Sequence, residues 1–279
     1  MTSLRDAYRH AVATLRQGGV DGAERDARAL LAHVCDCPAD RVLLEGDRSL
    51  PPGVWDRLDR ILAERVAGKP VARILGVRMF WGHPFEVTED VLDPRPETEL
   101  IVSLALEGRA PGNLLDLGTG SGVLAISLLG EFSTASGTAT DISPDALAVA
   151  DRNARRMKVD NRLTLIEADW WRGLSGQFDL IVSNPPYISA VEMADLSPEV
   201  ANWDPKDALS PGGDGLGSIR AIAEGLDAHL APGGRALIEI GAGQGKAAAD
   251  ILASGAHRLA NVHADMDGRD RVVEIKQRG

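Results

Sequence analysis

The tetrapeptide Asn184-Pro185-Pro186-Tyr187 has the most specific chemistry in this sequence. A proline fixes its own φ and biases the preceding residue toward extended backbone, so the two prolines stiffen the segment. The Asn184 side chain and the Pro185 carbonyl then point outward as acceptors, and Tyr187 can lie against a flat group. This arrangement suits a planar nitrogen with two hydrogens, as in a base amine or a carboxamide. The structural alternative is a proline-rich turn with a satisfied asparagine.

A planar nitrogen of this kind is a poor nucleophile because its lone pair is delocalised. A sulfonium methyl donor compensates, since attack moves positive charge from sulfur toward nitrogen and acceptors on the two N–H bonds stabilise that shift. No general base is strictly required, and alignment of nitrogen, methyl carbon and sulfur in a dry pocket supplies much of the rest. The tetrapeptide therefore predicts N-methylation dependent on S-adenosylmethionine, with S-adenosylhomocysteine as the product.

A glycine-rich turn lies upstream, at the end of an apolar run. The candidate cofactor-binding residues there are Asp116, Gly118, Thr119, Gly120, Ser121 and Gly122. Glycines let the backbone approach a ligand closely, and the N-terminus of the helix that follows offers unpaired N–H groups to an anion. The turn thus predicts a nucleotide-like ligand. Its spacing departs from the G-x-G-x-x-G fingerprint, so a purely structural tight turn is the alternative.

Two further acids follow predicted strands. Asp141 lies at the interval expected of a ribose-binding acid, and Asp169 follows the next strand. A carboxylate at Asp141 can accept hydrogen bonds from both ribose hydroxyls, while Asp169 and Trp170 can hold and cover an adenine. Each acid could instead be a helix cap or a loop residue in solvent. Trp171 could equally pack against the sheet or contact the ligand.

Other common chemistries have no support in the sequence. Residues 241–246 resemble a phosphate-binding loop but have Ile240 and Ala247 where glycine and Ser/Thr belong, which argues against nucleotide-triphosphate hydrolysis. No pair of histidines has metal-ligand spacing, so no metal is expected. Cys35 and Cys37 cannot form a disulfide framework and are expected to be reduced packing residues.

From about residue 112 onward, strand-like runs alternate with helical patterns, as in βαβ units of a parallel sheet. Ser143-Pro144-Asp145 predicts a helix start between the second and third strands. Two runs around Asp267-Gly268 predict a terminal hairpin that adds an antiparallel strand. The predicted strands are Asn113–Leu117, Thr138–Asp141, Leu163–Glu167, Phe178–Ser183 and Ala236–Ile240, with Ala260–Ala264 and Arg271–Lys276 in the hairpin.

The chain before these strands has a different pattern. Residues 1–70 have apolar positions at helical spacing and predict a small helical domain. We expect residues 71–98 to form a linker with a short hairpin at Phe85–Leu92. Residues 99–279 are expected to form the α/β domain.

Composition and charge narrow the class of protein. The 279 residues are 44% hydrophobic and 25% charged, which is typical of a folded globular chain. No apolar run is long enough to cross a bilayer, and the first residues have no signal-peptide core, so a cytoplasmic protein is expected. The net charge is −11; residues 1–80 contribute 13 basic and 11 acidic residues, and the remainder is net −13. Such a charge disfavours broad nucleic-acid binding.

Several motifs in the same order resemble the release factor glutamine methyltransferases, the PrmC/HemK family. Besides the glycine turn and the tetrapeptide, the matching stretches are Pro94-Arg95-Pro96-Glu97-Thr98-Glu99, Ala208-Leu209 through Gly212-Gly213-Asp214-Gly215-Leu216, and Gly268-Arg269-Asp270-Arg271. The resemblance implies a class I methyltransferase (Rossmann-like) domain with a seven-stranded, mostly parallel sheet. It also implies a small helical N-terminal domain that helps to bind the substrate.

The same resemblance implies the reaction, which is N5-methylation of the glutamine in the Gly-Gly-Gln loop of class 1 peptide chain release factors. It implies that Asn184 and Pro185 hold the glutamine amide and that Tyr187 forms a wall. Asp93 and Asp204-Pro205 depart from the family's usual residues, which leaves the substrate loop open. Arg95 and Glu97 could form a structural ion pair at the domain junction.

Two alternative functions follow from the residues alone. Nucleic-acid N-methyltransferases use similar tetrapeptides, but a base methylase should have a basic channel or an added recognition domain, and neither is evident. The second alternative is an adaptor that binds the cofactor without turnover. The acceptors in the tetrapeptide argue against it, because an adaptor needs no amine site beside a methyl donor.

Overall fold

The computed structural model describes residues 3–255 and 258–277. Its α-helices are α1 (Leu4–Gln17), α2 (Ala23–Val34), α3 (Arg41–Leu44), α4 (Val54–Val66), α5 (Val71–Leu75), α6 (Glu99–Glu107), α7 (Val123–Glu131), α8 (Pro144–Arg156), α9 (Pro198–Trp203), α10 (Lys206–Leu209), α11 (Gly217–His229) and α12 (Gly245–Leu252). Its strands are β1 (Val77–Phe80), β2 (His83–Glu86), β3 (Asn113–Leu117), β4 (Ser136–Asp141), β5 (Leu163–Glu167), β6 (Phe178–Ser183), β7 (Leu230–Glu239), β8 (Arg258–Ala264) and β9 (Asp270–Gln277).

The chain divides into two compact units. The first comprises Met1–Val77 and the short segment Pro198–Trp203, and the second comprises the remaining residues. The first unit therefore extends beyond residue 70, where the sequence predicted the helical domain to end. It also contains α9, although no sequence pattern predicts that this helix belongs with the N-terminal helices.

The helical unit is built around the apolar faces of α1, α2 and α4. A capping box starts α1, in which the Ser3 side chain accepts from the backbone N–H of Asp6 and the Asp6 carboxylate accepts from that of Ser3. The buried Arg65 guanidinium lies 2.9 Å from Asp26 and 2.6 Å from Glu199 of α9. This pairing satisfies charges that are costly to bury alone. Cys35 is buried and Cys37 half-buried, and both are free thiols.

The second unit contains a sheet of seven strands in the order β5-β4-β3-β6-β7-β9-β8 among the described residues. The pairs from β5 to β7 are parallel, whereas β9 is antiparallel to β7 and β8. This confirms the predicted mostly parallel sheet and its terminal hairpin. The predicted helix start at Ser143 is also present, since its hydroxyl accepts from the N–H of Ala146 and Pro144 is the first helical residue.

Alternation along the central strands gives the sheet two apolar faces. Leu180 and Val182 of β6 belong to one buried cluster with α6 and α7, while Ile181 belongs to the opposite cluster with α11 and α12. Neighbouring strand residues point to opposite faces, so a continuous apolar run is needed where helices cover both. The central strands are therefore covered on both faces, and a ligand can reach them where the strands end.

The predicted hairpin at Phe85–Leu92 is wrong. The two-stranded sheet joins β1 and β2, and its turn is Trp81-Gly82, where φ is 49° and 74°. Two successive residues with positive φ are typical of a two-residue hairpin turn. Phe85 lies in the second strand of this hairpin, and it is fully buried against Phe80.

Candidate functional site

The two central strands β3 and β6 bring the two predicted motifs together. Leu117 and Ser183, the last residues of these strands, are register partners, and the Ser183 hydroxyl donates to the Leu117 carbonyl at 2.7 Å. The glycine turn begins at the next residue of one strand and Asn184 is the next residue of the other. The chain runs from β3 outward through β4 and β5 and returns to β6, so this edge is the topological switch point where open α/β sheets bind ligands.

A cavity of about 600 Å³ opens at this edge. Its volume lies within the range of roughly 300–1,000 Å³ found for small-molecule sites. The sequence-predicted residues that line it are Gly118, Thr119, Gly120, Ser121, Asp141, Asp169, Trp170, Asn184 and Pro186. Asp116, Gly122, Pro185 and Tyr187 are not among its lining residues. Residues of both motifs thus form the wall of one cavity.

The glycine turn adopts a backbone that side chains disfavour. Gly118, Gly120 and Gly122 have φ of 68°, 56° and 84°. A Cβ on Gly122 would come within 2.6 Å of the Ile126 side chain and 3.2 Å of Ala150. Gly122 is therefore required by packing beneath the turn, whereas Gly118 and Gly120 leave their backbone open toward the cavity.

Asp116 supports the turn from below and does not reach the cavity. Its Oδ2 accepts from the Thr119 hydroxyl at 2.6 Å and from the Ala125 N–H at 3.1 Å. Burial raises the pKa of this carboxyl group to about 6. Of the three acids predicted to bind the cofactor, Asp141 and Asp169 line the cavity and Asp116 does not.

Asp141 lies at the centre of the cavity edge. Its two oxygens accept from the backbone N–H groups of Gly120 at 2.8 Å and Ser143 at 3.0 Å, and burial raises its pKa. Each carboxylate oxygen has capacity for a further hydrogen bond. The carboxylate therefore fixes the glycine turn and can still accept from ligand hydroxyls.

The two tryptophans after β5 have different environments. Trp170 lines the cavity and has a φ of 50°, an unusual conformation for a residue with a side chain. The Trp171 indole N–H donates to the Ala221 carbonyl at 2.8 Å, and its ring stacks on His229 with centroids 4.9 Å apart. Trp171 therefore packs against α11, and Trp170 is the aromatic side chain available to a ligand.

Asn184 is half-buried, and its side chain is anchored at one end. Its Nδ2 donates to the Thr98 hydroxyl oxygen at 3.0 Å, which leaves Oδ1 as the free acceptor. Pro185 is buried, while Tyr187 donates its hydroxyl to Glu239 Oε1 at 3.2 Å. Tyr187 thus supports the segment from behind, and its predicted role as a wall of the substrate site stays a prediction.

The stretch Ala208–Leu216 holds the residues that follow the tetrapeptide. The N–H of Ile188 donates to the Leu209 carbonyl and that of Ala190 to the Gly213 carbonyl, both at 3.0 Å. Gly215 comes so close that a Cβ would lie 2.4 Å from the Tyr187 carbonyl oxygen. This stretch therefore fixes the course of the chain after Tyr187.

Three residues that support the tetrapeptide were missed from the sequence. Thr98 and Glu239 are buried behind Asn184 and Tyr187, and the Gln244 amide donates to the Tyr187 carbonyl at 2.8 Å. Burial raises the pKa of Glu239 to about 7, with the Thr98 and Tyr187 hydroxyls and Arg271 opposing the shift. A charged residue within the apolar run 236–240 was the available signal for Glu239.

Asp93 and Asp204, whose roles the sequence left open, are buried acids that each pair with a half-buried arginine. Arg78 pairs with Asp93, and Arg95 pairs with Asp204 at 2.5 Å. The Asp93 N–H donates to Asp204 Oδ1 at 3.3 Å, so the two acids are neighbours. Arg95, for which an ion pair with Glu97 was one alternative, thus pairs with Asp204 and joins the segment before α6 to the loop after α9.

The described part of the chain has neither a metal cluster nor a membrane-spanning helix. Within residues 3–255 and 258–277, no three His, Cys, Asp or Glu side chains group in a way that could hold a metal ion. Among the helices of the same residues, none has the length and apolar character to span a bilayer.

Comparison with known proteins agrees with this architecture. The model of the PrmC N-terminal domain matches residues 6–76, and that of the methyltransferase small domain matches residues 88–214. A methyltransferase from Pyrococcus furiosus with 19% identity covers 79% of this chain and 99% of its own, with a TM-score of 0.54, and shows the fold.

Two curated relatives are similar over nearly the whole chain. The release factor glutamine methyltransferase of Cereibacter sphaeroides is 51% identical over 97% of both chains. The protein of the same name from Rhodospirillum rubrum is 41% identical over 95% of this chain and 82% of its own. The chain belongs to the release factor glutamine methyltransferase family.

Proposed function

We propose that the protein transfers the methyl group of S-adenosylmethionine to the side-chain amide nitrogen (N5) of the glutamine in the Gly-Gly-Gln loop of class 1 peptide chain release factors. The observation that carries the proposal is that Asn184 lines the same cavity as the glycine turn and Asp141. An acceptor for an amide N–H and a cradle for a nucleoside are thus within one site. We also propose a cytoplasmic location, where translation termination takes place.

The residues of the cavity fit the cofactor. The open backbone of Gly118 and Gly120 can approach it closely, and Asp141 retains acceptor capacity for the two ribose hydroxyls. Asp169 can accept from the exocyclic amine of adenine, and Trp170 can cover the ring. A volume of about 600 Å³ is sufficient for a nucleoside with an amino-acid side arm.

Asn184 and the main chain of Pro185 would bind the substrate amide. One N–H bond of the glutamine amide would donate to Oδ1 of Asn184, which lines the cavity, and family membership assigns the other to the carbonyl oxygen of Pro185, a buried residue outside the cavity lining. These contacts fix the plane of the amide and place its nitrogen toward the methyl donor. They also strengthen as positive charge develops on nitrogen, so they favour the transition state over the ground state.

The chemistry that S-adenosylmethionine supplies is a methyl carbon bonded to a sulfonium. With S-adenosylmethionine bound, the N–C bond would form as the C–S bond breaks, and the electron pair of that bond would return to sulfur. The methylated nitrogen would then carry positive charge, which makes its N–H bonds strongly acidic, so it would lose one proton to solvent without a strong base among the side chains of the site. The chain contributes alignment, acceptors and exclusion of water.

Charge and family support a protein substrate. Residues 81–279, which contain the methyltransferase domain, have a net charge of −13, which disfavours binding of a phosphate backbone. The two curated relatives are named for release factors as substrates. We propose that the N-terminal helical unit, which matches the PrmC N-terminal model, contributes to docking of the release factor.

The test is transfer of radiolabelled methyl from S-adenosylmethionine to three acceptors side by side. These are a purified class 1 release factor, the same factor with Gln→Ala in its Gly-Gly-Gln loop, and nucleic acid. The proposal predicts label on the unmodified factor alone. Equal label on the Gln→Ala factor, or label on nucleic acid in place of protein, would reject it.

A further inference from the structure

Four polar side chains form a row behind the cavity. Asn184 Nδ2 donates to Thr98 Oγ1 at 3.0 Å, and the Tyr187 hydroxyl donates to Glu239 Oε1 at 3.2 Å. The Thr98 hydroxyl lies beside the Glu239 carboxyl group, whose buried Oε2 has no hydrogen-bond partner within the described residues. Thr98 is 1% exposed and Glu239 is wholly buried. Of the four, Asn184 and Thr98 contribute to the cavity wall. This row of side chains therefore connects the buried acid Glu239 with Asn184, the acceptor proposed for the substrate.

The number of available protons determines which of these four side chains donate and which accept. An ionised carboxylate only accepts, and Glu239 Oε2 is a buried acceptor without a partner in the described part of the chain, so it attracts the single proton of the neighbouring Thr98 hydroxyl. The lone pairs of Thr98 Oγ1 then face Asn184, and only the NH₂ end of the amide can satisfy them. As a result, the Asn184 oxygen is turned toward the cavity, where it can accept from a substrate N–H.

We propose that Thr98 and Glu239 are positioning residues, which set the orientation of the Asn184 amide so that Oδ1 and not Nδ2 faces the substrate nitrogen. The inference deepens the proposed function and rests on it. With the opposite orientation, an N–H donor would meet the N–H bonds of the glutamine amide, and the acceptor would be lost. Glu239 does not line the cavity and Thr98 forms part of its wall, and we assign both residues an effect through the orientation of Asn184.

The protonation state of Glu239 adds a pH dependence to this arrangement. The groups that face it are the Thr98 and Tyr187 hydroxyls and Arg271, which favour the ionised form, and Glu97, which opposes it. Burial is the largest influence and raises its pKa to about 7. A protonated Glu239 can donate to Thr98, which frees the threonine proton to point at Asn184 and favours the opposite amide orientation. Turnover should therefore rise with pH as Glu239 ionises.

Kinetic tests use the full chain with Thr98→Val, Thr98→Ser and Glu239→Gln. Valine keeps the shape of threonine without the hydroxyl, so kcat should fall about 10- to 100-fold, the range expected when a buried polar contact is left unmade. Serine restores the hydroxyl and should restore most of kcat. Glu239→Gln should remove the rise of kcat with pH. The affinity for S-adenosylmethionine should change less than twofold in all three.

A matched control removes a buried hydroxyl elsewhere in the same unit. Ser127 is 2% exposed in α7, and its hydroxyl has no hydrogen-bond partner within the described residues. Ser127→Ala should keep the kcat and the pH profile of the unmodified chain. Thermal midpoints of all variants separate loss of folding from loss of positioning.

A second readout is independent of methyl transfer. In protein labelled with ¹³C and ¹⁵N, the Glu239 carboxyl carbon and the Asn184 side-chain amide should titrate together in the unmodified chain. Thr98→Val should abolish the titration of the Asn184 signal while that of Glu239 remains. Persistence of the coupled titration in Thr98→Val, or full kcat in that variant, would overturn the inference. Absence of methyl transfer by the unmodified chain would instead reject the proposed function, and the spectra would still decide the positioning.

Discussion

Leu117 and Ser183 are register partners at the ends of the two central parallel strands, and a 2.7 Å hydrogen bond joins the Ser183 hydroxyl to the Leu117 carbonyl. The residues that follow them, Gly118 and Asn184, therefore start from neighbouring points of one sheet edge. Sequence separation between the two motifs is large, yet sheet register alone brings them to a common cavity. The cavity depends on this register, because it determines the distance between the glycine turn and Asn184.

Replacement of Asn184 by alanine should reduce turnover more than cofactor binding. The variant removes one acceptor from the developing charge on nitrogen, so kcat should fall on the order of 100-fold, as for loss of one oxyanion-hole donor. Steady-state kinetics and calorimetry with S-adenosylmethionine measure the two effects. An equal loss in kcat and in cofactor affinity would contradict the assigned role.

Replacement of Asp141 by asparagine should weaken cofactor binding. Hydrogen bonds to a charged group contribute roughly 1.5–3 kcal/mol, so the affinity should fall roughly 10- to 100-fold. Asp145, an exposed acid in the first turn of α8, provides the control for a change in local charge. Calorimetry should show that Asp145→Asn keeps the affinity, and an equal loss in both variants would remove the specific role of Asp141.

Gly122→Ala should destabilise the fold. Its φ of 84° and the Cβ contact of 2.6 Å to the Ile126 side chain together predict a loss of about 1–3 kcal/mol in the free energy of unfolding. Gly130 in α7 faces open space, since a Cβ added there would meet nothing within 4 Å. Gly130→Ala should therefore be neutral or stabilising by up to about 1 kcal/mol. Urea denaturation of both variants gives the comparison, and equal effects would refute the packing argument.

Asp116 should make stability depend on pH in a defined direction. Burial raises its folded-state pKa from 3.8 to about 6, so the folded state binds more protons than the unfolded state between these values. Stability therefore falls as pH rises from about 4 to 6, by about 3 kcal/mol for this group. Asp116→Asn keeps a carbonyl acceptor without the charge, so the free energy of unfolding of this variant should depend less on pH in this range.

Urea midpoints of the unmodified chain and of Asp116→Asn at pH 4 and at pH 7 measure the effect. Half-buried Asp141 and buried Glu239 also have raised pKa values, so a residual slope of the same sign should remain in the variant. An identical change of the urea midpoint with pH in the two proteins would show that ionisation of Asp116 does not destabilise the fold.

The sheet was largely predictable from sequence because apolar runs covered on both faces are easy to recognise. The bounds of β3, β5 and β6 agree with the predicted ones. The hairpin at Val77–Glu86 was misplaced, since its turn needs positive φ at Trp81, which a tryptophan rarely adopts. Local pattern therefore defined the strands better than the short hairpin.

The cavity was predictable at its edge but not behind it. Asn184, Asp141 and the open glycines follow predicted strands, so the rule for parallel sheets places them correctly. Thr98 and Glu239 reach Asn184 and Tyr187 through tertiary contacts across 86 and 52 positions of sequence. A local sequence pattern cannot predict contacts between such distant residues. For the same reason, the sequence did not predict that α9 belongs to the helical unit.

The most direct measurement identifies the atom that receives the methyl group. A class 1 release factor with ¹⁵N in its glutamine side chains is incubated with the protein and with S-adenosylmethionine that carries a ¹³C methyl group. The account predicts a methyl signal split by one-bond coupling to ¹⁵N, and its loss when the loop glutamine is replaced by alanine. A methyl signal without this coupling would place the group on another atom and contradict the role given to Asn184.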